Sequence, residues 1–139
     1  MRFSWPFNLG SQILEAGAQA YQGKFTLPNV SSGVKAISDL TYDDRRAAAS
    51  FILYPKPFGI QAEYNVGRGP EFNKITDSIE LTPIKGGYVL LNYQARYKGH
   101  IIHPFFRYTY YDGGKKHELD ARSYEVKETE FGVEWIPFK

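Results

Sequence analysis

The chain contains no cysteine. Disulfide frameworks, thiolate metal sites and cysteine nucleophiles are therefore excluded. Its 139 residues hold no apolar run of about 18 residues, so no transmembrane helix is expected. Charge of one sign is lacking too: 17 basic side chains stand against 15 acidic ones, a net charge of +2. A general nucleic-acid binder carries a basic stripe, and this balance argues against nucleic acid as a partner. The opening residues, MRFSWPFNLG, have neither the apolar region nor the small-residue cleavage site of a signal peptide. They read as a strand with Phe3, Trp5 and Phe7 on one side. Either the protein stays inside the cell or this chain is a piece of a longer one.

None of these absences touches a membrane β-barrel, whose signal is alternation rather than bulk hydrophobicity. What the chain has in excess is aromatic: 17% of its residues, with 11 Tyr and 10 Phe. Its length suffices for one domain with a sizeable core if it is soluble.

The stretch from Gly86 to Lys116 carries the clearest pattern. It reads as two long strands joined by a two-residue turn, Lys98-Gly99, where glycine supplies the positive φ of a tight hairpin. That turn predicts a register. Tyr97 faces His100, Ala95 faces Ile102, Tyr93 faces Pro104, Leu91 faces Phe106 and Val89 faces Tyr108. One face is apolar and aromatic throughout. The other pairs Gln94 with His103, Asn92 with Phe105 and Leu90 with Arg107. About ten residues of such a strand, tilted, span a bilayer. A second hairpin around Pro55–Phe58 repeats the chemistry. Leu53 faces Ile60, Phe51 faces Ala62, Ala49 faces Tyr64 and Ala47 faces Val66, with Gln61, Glu63 and Asn65 on the opposite side.

About seven strands follow from this alternation: roughly 2–8, 12–23, 45–54, 59–67, 86–97, 100–111 and 124–136. Short connections (Asn8–Ser11, Pro55–Phe58, Lys98–Gly99) alternate with long ones (Lys24–Asp44, Arg68–Lys85, Asp112–Ser123). Outer-membrane barrels have that asymmetry. Pro104 has no N–H for a ladder and predicts a bulge or a lost bond. A short helix over Val34–Leu40 fits within a long loop.

Alternation does not say which face is inside. Lysine usage favours an inward polar face. None of the 10 lysines lies in the four central strands as bounded above, although a water-facing strand surface uses lysine freely. The expected fold is an all-β, antiparallel up-and-down transmembrane β-barrel segment, occupying 1–139 as one unit. The rival is a soluble or periplasmic β-barrel binding a small apolar ligand.

Other motifs have plainer readings. The GxG in Gly67–Glu71 opens no helix and is a strand running into a flexible loop. Glu128 and Glu130 share a face about 6.6 Å apart at strand rise, the spacing of any i, i+2 pair. His100, His103 and His117 lack metal-ligand spacing, and no GxSxG is present. Lys115, Lys116 and His117 read as a solvated loop tip, with anion attraction at a pore mouth as the functional alternative. No enzyme activity, catalytic residue, metal or cofactor is expected. Arg46, Arg96 and Arg107 fall on the polar face in the trial registers and are the candidate lumen contacts for small anions. Glu15, Glu63, Glu130 and Glu134 lie on that face as well.

The stretches DDRRAAASFILYPKPFGIQAEYNVGRGPEFN, GGYV and HPFFRYTYYDGGKKHELDARSYEVKETEFGVEW resemble the C-terminal half of the phosphate-selective porin O and P family, most closely from Asp44 to Trp135. YPKPFG, NVGRGPE, YYDGGKK and GVEW carry the likeness together. The resemblance implies a Gram-negative outer-membrane barrel of sixteen strands, a homotrimer in contact with outer-membrane lipid, passing anions such as phosphate. The chain has fewer strands than such a member and no strand pair after Trp135. It therefore reads as a fragment of a longer porin, and the family's constriction residues are not carried over to it.

Overall fold

Period-two alternation commits most of this chain to strands. The computed structural model describes residues 1–137 and forms β1 (Arg2–Leu9), β2 (Gln12–Thr26), β3 (Thr41–Leu53), β4 (Phe58–Asn73), β5 (Ser78–Tyr93), β6 (Ala95–Tyr97), β7 (His100–Gly114) and β8 (Ser123–Ile136). One 3-10 turn at Leu119–Ala121 is the sole helical element among the described residues. All ladders are antiparallel and each strand pairs with the next, save that β5 and β6 both pair with β7. Those two are one run, so the sheet is a seven-stranded meander. It does not close. Among the described residues β1 pairs only with β2, and β8 only with β7.

The hairpin register follows from the turn. Lys98 and Gly99 take φ of 48° and 83°, the two positive values a tight hairpin turn needs. Tyr97↔His100, Ala95↔Ile102, Leu91↔Phe106 and Val89↔Tyr108 are all partners. The second hairpin pairs Leu53↔Ile60, Phe51↔Ala62, Ala49↔Tyr64 and Ala47↔Val66, also in the expected register. Pro104 has a visible cost. The ladder stops at Asn92↔Phe105 and resumes at Ala95↔Ile102, so the break lies opposite His103 and Pro104. The Gln94 N–H donates instead to the Pro57 carbonyl, at 2.6 Å. On its other side Pro104 stays in register with Val133.

Three expectations are corrected. The segment 68–85 is not a loop but the outer part of the β4–β5 hairpin, paired to Asn73↔Ser78. Its glycines and prolines disguise a ladder reinforced by side chains: the Thr82 hydroxyl donates to Glu71 at 2.5 Å and the Asn73 amide to Glu80 at 3.2 Å. The flexible-loop reading of GRGPE fails with it. Val34–Leu40 forms no helix. Lys35 N–H donates to Asp77 and its carbonyl accepts from Ile79 N–H, at 2.8 and 2.9 Å, so the backbone is spent on a parallel bridge beside Ser78. The longer strands also capture Lys85, which lies in β5.

Because the registers agree from strand to strand, one file of side chains crosses the whole sheet. Phe7 on β1 leads to Leu14 on β2, then Leu53, Ile60, Leu91 and Phe106, and ends at Phe131 on β8, with Trp5, Ala16, Phe51, Ala62, Val89 and Tyr108 on the next level of the same face. This face is uncovered: Trp5, Tyr64, Phe131 and Trp135 are 57%, 52%, 79% and 61% exposed. The accessible surface is 9407 Å², against about 7,350 Å² for a compact monomer of this mass.

Buried apolar side chains sit elsewhere. Leu27, Tyr42, Ile79 and Ala121 form one cluster, with Phe25, Val30, Val34, Ala36, Leu40 and Phe72 packed on it. All lie at the long-connection end. The β3–β4 ladder ends at Arg45↔Arg68 while β4–β5 continues, and the β2–β3 connection packs into that region.

Candidate functional site

The polar face is built by the same registers read one residue over. Across it run Gln19, Ala48, Asn65 and Gly86, and on neighbouring levels Ser50, Glu63, Tyr88 and Thr109. Gln61 donates to the Tyr88 hydroxyl at 2.8 Å. At the long-connection end this face opens into a recess of about 570 Å³ lined by Arg2, Gln19, Asp44, Arg46, Glu63 and Lys116, among others.

Asp44 is the hub of that end. It is wholly buried. Arg46 Nε donates to its Oδ1 at 2.9 Å, and Lys116 Nζ, from the β7–β8 connection, donates to its Oδ2. A buried carboxylate persists only when paired and hydrogen-bonded, and both conditions are met. A second tie lies beside it. Asp120 accepts from the Ser31 N–H and hydroxyl, both at 2.6 Å, joining the β7–β8 connection to the β2–β3 connection. His117 packs edge-on against Phe25 at 5.0 Å. The Lys115–His117 segment is therefore docked, not a solvated loop tip. Lys115 is half-buried, with its ammonium 3.5 Å over the Tyr124 ring. Its hydrogen bond with Glu118, at 3.0 Å, holds the ammonium above the ordinary lysine range.

The three candidate arginines are all on this face and are not gathered into one site. Arg46 is level with Gly67, and Arg107 with Leu90 and Gln61. Six residues along β4 separate those levels, about 20 Å at strand rise. Arg96, opposite Ile101, lies a further six residues from Leu90 toward the short turn. Two of the three are neutralised. Arg46 is paired with Asp44, and Arg107 with Glu130 at 2.6 Å. Arg107 Nε is buried without a hydrogen-bond partner, so only part of that guanidinium is satisfied.

Glu130 is thus committed to Arg107, and its neighbour Glu128 lies opposite Thr109. No acid–base pair with divergent environments results. No group of metal-ligating side chains occurs among the described residues. The three histidines are dispersed: His100 lies tilted beside Trp135, His103 is level with Glu134, and His117 meets Phe25 edge-on.

Asp44, Asp120 and Ser31 were not singled out by sequence. Their partners are 72 and 89 residues away, and no local pattern signals such a contact. No family model, curated protein or solved structure matches the chain.

Proposed function

We propose that this chain forms part of the wall of an outer-membrane porin, a water-filled barrel through which small anions such as phosphate diffuse passively. The observation that carries the reading is the placement of the two faces. The apolar face is continuous over seven strands and bare, while both long connections fold over the polar one. A soluble barrel with an apolar lumen requires the opposite. Along β7 the apolar file from Ile102 to Tyr110 spans about 27 Å at strand rise, comparable with the roughly 25 Å apolar band of outer-membrane barrels. No helix among the described residues is long and apolar enough to cross a membrane, so any crossing is made by strands.

Anion preference rests on a narrower base. Arg2, Arg46 and Lys116 line the recess against Asp44 and Glu63, and Arg96 stands near the opposite mouth. Weak, separated cationic sites suit conduction, since an ion must leave as well as enter. The whole porin, its trimeric state and phosphate as solute follow from the family resemblance and stand as part of this proposal.

Spin labels at Leu91 and Phe106 in reconstituted protein test it. Lipid-soluble oxygen should relax them more than an aqueous nickel complex does. The reverse pattern would place these residues inside a soluble barrel around an apolar ligand.

A further inference from the structure

The outward face changes character at one edge, and the change is not explained by a wall function alone. Arg45 and Arg68 are direct cross-strand partners on β3 and β4, both exposed and both on the apolar side of the sheet. Like charges directly opposite in a sheet are destabilising. Arg45 reaches only Asp43, at 3.4 Å and with both side chains open to solvent. Arg68 has no ion pair among the described residues and faces Pro83 on β5. Lys24, Lys85 and Lys127 share the same rim by register, and Asp43, Asp112 and Glu125 are its carboxylates. Lys85 is paired with Asp112 and Lys127 with Glu125. Cations outnumber carboxylates five to three at this rim, and Arg45 and Arg68 are the two that face each other directly.

Directly below that pair the wall is hollow. Ala20, Ala47 and Val66 floor a recess of about 550 Å³ that Arg45 and Arg68 border. A second, strongly apolar groove of about 350 Å³ follows across β3, β4, β5 and β7, with Ala49, Ala62 and Gly87 at its base and Phe51, Tyr64 and Tyr108 at its sides. A Cβ on Gly87 would collide with the Glu63 carbonyl, so that floor stays low. A cationic pair above a narrow apolar channel matches one kind of molecule, an amphiphile with an anionic head and a long chain.

We infer that Arg45 and Arg68 hold the headgroup phosphate of a net-anionic membrane phospholipid whose acyl chain lies in the groove over Ala47, Ala49 and Ala62. Arginine forks suit phosphate oxygens, and the anion removes the repulsion between the two guanidinium groups. The inference rests on the membrane reading of this face and adds to it a defined lipid, at a defined level of the wall.

Native mass spectrometry of the full chain in neutral detergent tests it, with phosphatidylglycerol or phosphatidylcholine titrated in. The expected result is a one-to-one adduct with phosphatidylglycerol that phosphatidylcholine does not match. Arg45→Gln with Arg68→Gln should weaken that adduct about thirtyfold, on the scale of two surface cations facing an anionic lipid. Arg45→Lys with Arg68→Lys should restore most of it, and strand content by circular dichroism shows whether each variant is folded. Inorganic phosphate in excess should leave the adduct in place, because it has no chain for the groove. Equal adducts with both lipids, full affinity in a folded glutamine variant, or displacement by inorganic phosphate would each overturn the inference while leaving a lipid-facing wall intact. A chain that binds neither lipid and needs no detergent would instead remove the membrane reading itself.

Discussion

Lys116 and Asp44 are 72 residues apart in sequence and joined by an ion pair across the polar face. The first belongs to the β7–β8 connection and the second to β3. Between them in the sheet lie β4 and β5, so the connection must arch over both. This contact, with Asp120 on Ser31, fixes the long connections over the polar side and leaves the apolar side open.

Asp44→Asn should release that arch. It removes one charge from a buried set and strands two cations, Arg46 and Lys116. Breaking a buried pair in this way costs about 3–5 kcal/mol. The nearby backbone should loosen first, because its remaining anchors are few. Limited trypsin digestion should cut after Lys115 or Lys116 much faster than in the parent chain. Lys116→Met, which removes the cation and keeps the length, should be milder, since Arg46 still pairs with Asp44. Equal cleavage in Asp44→Asn and parent would mean that the apolar cluster around Leu27 and Tyr42 alone holds the connections.

The pair Arg107–Glu130 makes opposite predictions for its two members. With both present the level is nearly neutral. In a conducting barrel that contains this chain, Arg107→Gln should leave Glu130 bare and move the reversal potential toward cations in a salt gradient. Glu130→Gln should bare Arg107 and move it toward anions. Shifts of opposite sign mark residues that face the ion path. Unchanged selectivity in both, with lower heat stability, would leave the pair only a bracing role.

The hairpin registers were legible because they depend on local chemistry. Lys98-Gly99 sets the turn, and alternation sets the faces on both arms. Arg107 facing Leu90 follows from those two facts, and so does its place on the polar side. Three things were hidden. Strand ends disappeared where Gly67, Gly69, Pro70 and Pro83 imitate a loop, though cross-strand pairs such as Thr82–Glu71 keep the ladder. The Val34–Leu40 segment has a composition open to helix, and its backbone bonds to Asp77 and Ile79 come from tertiary packing. The Asp44 hub joins β3 to the β7–β8 connection, 72 residues away, and no local pattern marks that contact. The arginines show the same division. Their face was readable, but the carboxylates that neutralise Arg46 and Arg107 were not assigned from spacing.

Tyr108 and Thr109 are neighbours that point opposite ways, Tyr108 level with Val89 on the apolar face and Thr109 level with Tyr88 on the polar one. Tyr108→Arg places a cation on the apolar side and, with that side against lipid as proposed, should cost about 1–3 kcal/mol part-way between the midplane and the interface. Thr109→Arg places it opposite Glu128 and should be nearly neutral. Urea titration of protein reconstituted in vesicles reads both. A difference of the reverse sign would mean that the apolar face is turned inward.

The edges make the last prediction. In a meander of seven strands the first and last run in the same direction, so β1 and β8 meet as a parallel pair if they meet at all. Antiparallel closure needs an odd number of strands between them, supplied from outside residues 1–137. Until then each edge carries unpaired N–H and C=O groups. A bilayer does not tolerate such an edge, because lipid offers no partner for it, and water leaves it free to capture other chains. The 139-residue chain on its own should therefore self-associate in detergent and fail to give porin-like currents. Sedimentation velocity should show a distribution of oligomers. Charging the edge should narrow it: Ser4→Lys with Glu128→Lys adds a cation to each edge strand, and like charges oppose pairing there. Stable single-channel currents of porin size from a monomer would overturn this expectation, since they require a closed wall from strands that now leave two edges free.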